Sequence, residues 1–430
     1  MAIEEWFFDT SYADTGGVGT RMAVTLAGAT FTTGTWNLFE TGAFTGYTFD
    51  PGDRIYIGGG TAVTAGYYDI ASRTDNDNIV LTGDITTDAS SPTDVTGTSR
   101  PYGDLNDGIK KITQGPDTMR LNVKAGSTAT LTESLYTSMK DTGTTGAWTP
   151  STTKLLYVQG YTAVPADGGR ATIDGNATYG IMSTALDAVS FRDLRLTNTG
   201  ANTVINMQLS GQLTRCEIDN SSGNGVVLAG AGTIANHCEI HNIGGIGITG
   251  SQNHSVVSCH IYNDGANEMT YGIYGGGHFL HNIVSVSGAT NGIFVGTSGG
   301  CFHNSVYAAP GSTGWGIGNA SLNNSSSAVI ANNLCEGFDV NYPISGAGVN
   351  VGPFMFFGNY SYNATTADYD HSCTTLESSI DYWNSGNLLA TTNFTLTSSP
   401  FVNAVSGNFM PTAVVKEASL PHDFAHGQAI

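Results

Sequence analysis

Acidic and imidazole side chains recur on a short segment that repeats about every 22 residues in the second half of the chain. The repeats are Arg215-Cys216-Glu217-Ile218, His237-Cys238-Glu239-Ile240 and Ser258-Cys259-His260-Ile261. Glu217 and Glu239 therefore hold equivalent places in successive repeats. Carboxylate pairs cleave glycosidic bonds, about 5 to 5.5 Å apart in retaining enzymes and about 6.5 to 9.5 Å apart in inverting ones. Neighbouring strands lie about 4.8 Å apart, so this pair can meet the shorter requirement.

Two further acids, Asp264 and Glu268, complete the set that a glycan hydrolase would use here. They lie in the longest insertion between the early repeats, beside three tyrosines, Tyr262, Tyr271 and Tyr274. Carboxylates next to aromatic rings are typical of sugar-binding clefts. Three alternatives remain: Asp264-Gly265 forms an ordinary turn, the glutamates pair with neighbouring Arg and His as solvent-facing ladders, or they contact another protomer. The sequence therefore assigns no catalytic residue outright.

The sequence predicts no metal, nucleotide or other cofactor. His237, His281 and His303 occupy equivalent places in their repeats, but Ser258 interrupts the column and separates the first two by two repeats. Such a spacing does not favour a transition-metal site. The many glycine-rich segments match neither a phosphate-binding loop nor a nucleophile elbow, and they are typical of turns.

A second ladder of short strands runs in phase with the first. Its steps are 22, 25, 20 and 24 residues, through Gly225-Val226, Gly247-Ile248, Gly272-Ile273, Gly292-Ile293 and Gly316-Ile317. Two strands that repeat together predict a solenoid whose rungs contain about 22 residues. The candidate acids would then lie on the wall of a parallel β-helix.

The strand pattern also predicts what fills the interior. Because side chains alternate across a strand, Cys216 and Ile218 share the inner face while Arg215 and Glu217 share the outer one. Stacked rungs would place unbridged cysteines in one buried column, continued by asparagines that bond their amides from rung to rung. The expected column contains Cys216, Cys238, Cys259, Asn282, Asn304, Asn333 and Asn359.

Four segments are predicted along the chain. Residues 1–97 contain alternating, aromatic-rich stretches separated by turns, which indicates a small antiparallel β-domain for docking or oligomerisation. Residues 98–113 form a linker and a short capping helix over 104–113, with Asp104 as its N-cap. The β-helix is expected over 114–375, and residues 376–430 form an irregular capping segment.

Four phrases of the chain resemble the pectate-lyase-like right-handed parallel β-helix superfamily. They are Leu156-Tyr157-Val158-Gln159-Gly160-Tyr161, Ala171-Thr172-Ile173-Asp174-Gly175, Tyr271-Gly272-Ile273-Tyr274 and His281-Asn282-Ile283-Val284. The resemblance covers roughly residues 104–410 and implies an all-β fold. It implies no single activity, because the superfamily includes lyases, hydrolases, epimerases, phage tailspikes and non-enzymatic surface proteins. Its lyases hold Ca²⁺ with clustered Asp near a basic residue, and these rungs lack that arrangement, so a lyase mechanism is not expected.

Charge and hydropathy exclude several classes of function. The chain has 15 Lys+Arg against 35 Asp+Glu and a formal net charge of −20, so its surface repels phosphate backbones and nucleic-acid binding is excluded. It contains no apolar run of 18 residues and thus no predicted membrane span. The start of the chain lacks the basic and apolar stretches of a secretory signal. We therefore expect synthesis in a host cytoplasm without an export address.

A low-charge β-solenoid without an export signal favours a virion protein that lysis releases. The layout of a small β-domain before a β-helix resembles phage tailspikes and capsid decoration (cement) proteins. Only about 70 residues follow the last rung, which leaves little room for a tailspike trimerisation domain. A non-enzymatic decoration protein is thus preferred, homotrimeric and bound to the major capsid protein or the tail. The alternatives are a tailspike that binds or cleaves host polysaccharide, and a cellular surface β-helix.

Overall fold

The computed structural model divides the chain into two compact units, Met1–Ile173 and Asp174–Ile430, and each is described by itself. No helix among the described residues has the length and apolar character needed to cross a membrane. The residues that the structure describes are 3–10, 25–45, 54–88, 90–98, 103–110, 118–140, 151, 155–162, 167–264, 267–296, 299–319, 328–344, 355–371, 389–391, 394–406 and 408–411.

The first unit combines mostly antiparallel strands with two short helices. Its elements are β1 (Ile3–Phe8), β2 (Thr25–Thr32), β3 (Asn37–Phe39), β4 (Arg54–Gly59), β5 (Gly66–Arg73), β6 (Asn78–Leu81), β7 (Val95–Thr98), α1 (Leu105–Lys110), β8 (Thr118–Lys124), β9 (Thr128–Thr130), α2 (Leu135–Lys140), β10 (Leu156–Tyr161) and β11 (Ala171–Asp174).

Six strands of this unit close into a small barrel with the order β2-β3-β6-β5-β4-β7, and its listed strand pairs are antiparallel. Alternating apolar side chains fill it, including Phe31, Leu38 and Ile55. At Gly97 a Cβ would lie 2.6 Å from the Tyr56 carbonyl oxygen, so only glycine fits this close approach. The predicted small antiparallel domain is therefore confirmed.

The first strand does not belong to that barrel. β1 pairs in parallel with β8, which pairs in parallel with β10. Helix α1 begins at Leu105, directly after the predicted cap Asp104, and ends at Lys110, while residues 111–113 lie outside the described part of the chain. Whether this helix caps the solenoid, and the proposed boundaries after 97, 113 and 375, stay predictions.

The second unit consists almost entirely of short strands, with one 3₁₀ turn at Ala404–Ser406. The strands are β12 (Met182–Leu186), β13 (Val189–Arg192), β14 (Leu194–Gly200), β15 (Ile205–Met207), β16 (Gln212–Thr214), β17 (Glu217–Ser221), β18 (Val226–Leu228), β19 (Ile234–Asn236), β20 (Glu239–His241), β21 (Ile246–Val257), β22 (His260–Tyr262), β23 (Tyr271–Leu280), β24 (Ile283–Val286), β25 (Asn291–Val295), β26 (Gly300–Phe302), β27 (Ser305–Ala308), β28 (Ile317–Gly318), β29 (Val329–Ala331), β30 (Leu334–Glu336), β31 (Val340–Ile344), β32 (Met355–Phe357), β33 (Tyr360–Tyr362), β34 (Ala367–His371), β35 (Leu389–Thr391), β36 (Phe394–Thr395), β37 (Phe401–Asn403) and β38 (Asn408–Pro411).

These strands stack into three parallel sheets that the chain visits in turn. Sheet 1 contains β12, β15, β18, the first halves of β21 and β23, β25 and β28. Sheet 2 contains β13, β16, β19, the second halves of β21 and β23, β26, β29, β32 and β35. Sheet 3 contains β14, β17, β20, β22, β24, β27, β30, β33 and β36. The predicted right-handed parallel β-helix is confirmed.

The interior column forms as expected at the entrance to sheet 3. Cys216, Cys238 and Cys259 are buried and unbridged. The asparagine ladder continues the column, and each amide oxygen accepts from the backbone and side chain of the preceding asparagine. The Oδ1 atom of Asn304, for example, lies 2.9 Å from both the N and the Nδ2 of Asn282. The sixth cysteine, Cys373, lies outside the described residues.

Backbone geometry explains both sequence ladders. The residue before each interior Cys or Asn adopts a left-handed conformation, with φ 51° at Arg215 and 53° at His237. These two residues therefore form a turn before the strand and do not share the strand with Glu217 and Glu239, as the sequence suggested. On the opposite ladder, a Cβ added to Gly247 would lie 2.6 Å from the carbonyl oxygen of Gly272. Glycine recurs there because successive rungs meet backbone to backbone.

Candidate functional site

The candidate acids lie on the outer wall of sheet 3. Glu217 and Glu239 are register partners on β17 and β20, because the inward positions beside them are filled by apolar side chains. Oε1 of Glu217 lies 3.3 Å from Nε of Arg195. The Arg195 guanidinium also donates to Asp219 at 2.6 Å, and this hydrogen bond raises the pKa of Arg195. One arginine thus neutralises two carboxylates.

An imidazole connects this ion pair to the predicted insertion. Nε2 of His241 lies 3.5 Å from Oε1 of Glu217, and its Nδ1 lies 2.9 Å from Oδ2 of Asp264. The Asp264 side chain is 41% exposed, so it forms the open rim of the network. Glu268 is placed elsewhere, with Oε2 3.0 Å from where a Cβ of Gly288 would be. Three of the four candidate acids, Glu217, Glu239 and Asp264, therefore share one stretch of wall.

A tyrosine holds the other glutamate in place. The hydroxyl of Tyr262 donates to Oε1 of Glu239 at 2.7 Å. Its ring stacks on His241 at 4.9 Å, nearly parallel, and contacts His260 at 4.6 Å. Burial, followed by the hydrogen bond to the Glu239 carboxylate, raises the pKa of Tyr262. Tyr262 was noted in the sequence only as an aromatic neighbour, and its contact with Glu239 follows from the rung stacking.

A cavity of about 300 Å³ opens beside this stack. One wall is sheet 3, including His260, Tyr262 and Asn263, and the other comes from the C-terminal hairpin of β37 and β38, including Phe409. The ring of Phe409 lies 6.0 Å from that of Tyr307. The sequence predicted an irregular cap after residue 376, and no local pattern indicated that a hairpin would cover this wall.

Two polar atoms in the cavity walls have no hydrogen-bond partner among the described residues. They are Nε2 of His260 and Oδ1 of Asn263, both buried. Asn263 does use its Nδ2, which donates to Oγ1 of Thr290 at 3.0 Å. Burial lowers the pKa of His260, so its ring is held neutral over a wider pH range. Buried polar groups are normally paired, so these two atoms identify a place where a polar ligand can bind.

The wall also contains atoms close enough to hold a cation. Ligand atoms of Glu217, Asp219 and His241 lie within 4.8 Å of one another. Arg195 contacts both carboxylates, however, and supplies the positive charge that a metal ion would bring. The predicted histidine column is separate from this wall: His281 and His303 stack at 5.2 Å in the left-handed turn before sheet 3.

No family model matches this chain, and no curated protein matches it. Among solved structures it is similar to the crystal structure of a pectate lyase, Pel9A, with 15% sequence identity and a TM-score of 0.40. The likeness covers 76% of this chain and 83% of that chain. The fold assignment rests on the strand pairing described above, and the function has to be argued from this chain's own site.

Proposed function

We propose that the protein binds a polysaccharide on the outer wall of sheet 3, in the cavity beside Tyr262. The observation that carries this proposal is the pair of buried, unpartnered polar atoms, Nε2 of His260 and Oδ1 of Asn263, in the walls of one cavity. Leaving such a group unpaired costs about 1 to 3 kcal/mol, which a ligand hydroxyl can recover. A volume of about 300 Å³ is at the lower end of ligand sites and suits one or two sugar rings of a longer chain.

The composition of the wall supports a sugar over other small ligands. Sugars present hydroxyl groups at their edges and flat C–H faces, and the cavity offers both acceptors and the rings of Tyr262, Tyr307 and Phe409. Because the rungs repeat along sheet 3, successive sugar units can follow the strand stacking. We propose binding without cleavage, since Arg195 and Tyr262 already engage the two glutamates.

Replacing Tyr262 with alanine is expected to weaken oligosaccharide binding about tenfold, because one aromatic stacking contact contributes about 1 kcal/mol. Calorimetry against a panel of soluble neutral, amino-sugar and uronate oligosaccharides measures this. Tyr362→Ala is the matched control, since Tyr362 lies on β33 of the same sheet and does not line the cavity. Failure of every panel member to bind, or equal losses in both variants, would contradict the proposal.

The same panel tests for cleavage. Glu217→Gln and Glu239→Gln keep the shape of each side chain and remove its charge. Products released by the wild-type protein and absent with either variant would show that the two carboxylates form an active site, and polysaccharide cleavage would then replace binding as the function.

The sequence also proposes a setting, a phage virion in which the protein decorates the capsid as a homotrimer. What supports a protein contact is an apolar strip on the outer wall of sheet 2, since such strips commonly mark contact surfaces. Its side chains, of which Met355 is 40% exposed, are Leu280, Phe302, Val329, Met355 and Phe357. The tailspike alternative fits the glycan-binding proposal directly.

A decoration role predicts that particles lacking the protein lose resistance to heat, because a bound clamp stabilises the shell by mass action. Residual infectivity after a heat step, with and without added purified protein, measures this. Particles with the same heat resistance in both preparations would exclude the capsid role and leave the glycan-binding proposal unaffected.

A further inference from the structure

The charge of the solenoid limits the polysaccharides that the wall can accept. No lysine or arginine occurs between Arg215 and Lys416. The same stretch contains eleven acidic residues, Glu217, Asp219, Glu239, Asp264, Glu268, Glu336, Asp339, Asp368, Asp370, Glu377 and Asp381. A ligand on this part of the protein therefore meets negative charge without a base to offset it.

The arginines that precede this stretch are already committed. Arg195 binds Asp219 and Glu217, as described above, and Arg215 binds Asp193 in a pair at 2.6 Å. Arg192 contacts the same Asp193 at 3.2 Å. Among the described residues of the second unit, no basic side chain is left to receive a carboxylate or sulfate of a ligand.

The wall beside the cavity offers hydrogen-bond acceptors instead. Asp264 presents a rim carboxylate that is 41% exposed, and its contact partner His241 takes only one of its oxygens. Glu239 accepts from Tyr262 through Oε1, and Oδ1 of Asn263 accepts from no described residue. Acceptors and negative charge together favour a ligand that donates hydrogen bonds and carries positive charge.

We propose that the polysaccharide recognised at this wall contains amino sugars with protonated amines, and that uronate-bearing polymers are excluded. This inference rests on the proposed glycan binding and specifies its substrate class. At an effective dielectric constant near 20, one ammonium about 4 Å from one carboxylate gains about 4 kcal/mol before desolvation, and a uronate meets repulsion of the same order. Asp264 is the residue we assign to the amine.

Three probes of equal length test the assignment: glucosamine oligomers with free amines, their N-acetylated counterparts, and oligogalacturonate. We expect the free amines to bind at least tenfold more tightly than the N-acetylated oligomers, and oligogalacturonate not to bind. The preference should shrink as salt is raised, because the rim charges are screened. Asp264→Asn should reduce the preference several-fold. Asp75→Asn, an equal charge change in a turn of the barrel, should leave it unchanged.

The possible failures are distinguishable. Equal binding of the three probes, or tighter binding of oligogalacturonate, would overturn the amino-sugar assignment, and loss of that binding in Tyr262→Ala would leave the glycan site intact. A preference that persists unchanged in Asp264→Asn would equally overturn it. Absence of binding by these probes and by neutral oligosaccharides would overturn glycan binding itself.

Discussion

Replacing Asn304 with alanine is expected to lower the free energy of unfolding by about 3 to 5 kcal/mol. The side chain is fully buried, and its Oδ1 accepts from the backbone and side chain of Asn282. Its Nδ2 donates to the carbonyl oxygen of Phe279 at 3.0 Å. Alanine would leave these groups unpaired in a dry interior. Urea unfolding followed by circular dichroism measures the loss.

Cys238→Ala is the matched control for that measurement. Cys238 lies in the same buried column, and its replacement removes one sulfur atom without breaking the amide ladder. A loss of about 1 kcal/mol is expected. Comparable losses at Cys238 and Asn304 would mean that the ladder stabilises the solenoid only by filling space.

The second large effect concerns pH. Stability should fall by about 3 kcal/mol as pH falls from about 6.5 to about 4, and His254→Leu should abolish this part of the decline. His254 is fully buried, neither ring nitrogen has a hydrogen-bond partner among the described residues, and burial lowers its pKa to about 4. Between these pH values the unfolded chain takes up a proton that the folded chain excludes. Protonation therefore favours unfolding in that window.

Unfolding curves between pH 4 and pH 7 test this expectation. His278→Gln is the control, because His278 is an exposed histidine on sheet 2. Burial also lowers the pKa of His260, so part of the decline should remain in His254→Leu. A wild-type protein as stable at pH 4.5 as at pH 7 would show that the buried ring finds a partner or water on protonation. Gly250 is relevant here, since a Cβ on it would lie 2.5 Å from the His254 ring.

The rungs and their interior were predictable because the information is local and repeated. Cys216 and Cys238 sit one rung apart, so a 22-residue pattern fixes both the stacking and the inward face. The same pattern placed Glu217 beside Glu239, which the register shows. It could not reveal the left-handed turn at Arg215, because strand alternation alone gives no sign of where a strand begins.

The remaining parts of the wall depend on contacts between distant residues. Phe409 covers Tyr307 although about 100 residues separate them, and β1 pairs with β8 across a similar distance. No short motif encodes such pairings, since they arise from how loops return over the surface. The position of Glu268 failed for the same reason, because its loop runs toward Gly288 while Asp264 turns toward His241.

The register of the solenoid has a consequence for how its length can change. Register partners in the three sheets are separated by the same number of residues, 22, as in Gln212 and Ile234, Glu217 and Glu239, or Val226 and Ile248. A duplication or excision of that length leaves its two ends already aligned. Each such event lengthens or shortens the body by about 4.8 Å without disturbing the rungs on either side. The reach of this protein can therefore evolve in fixed increments, as a molecular ruler.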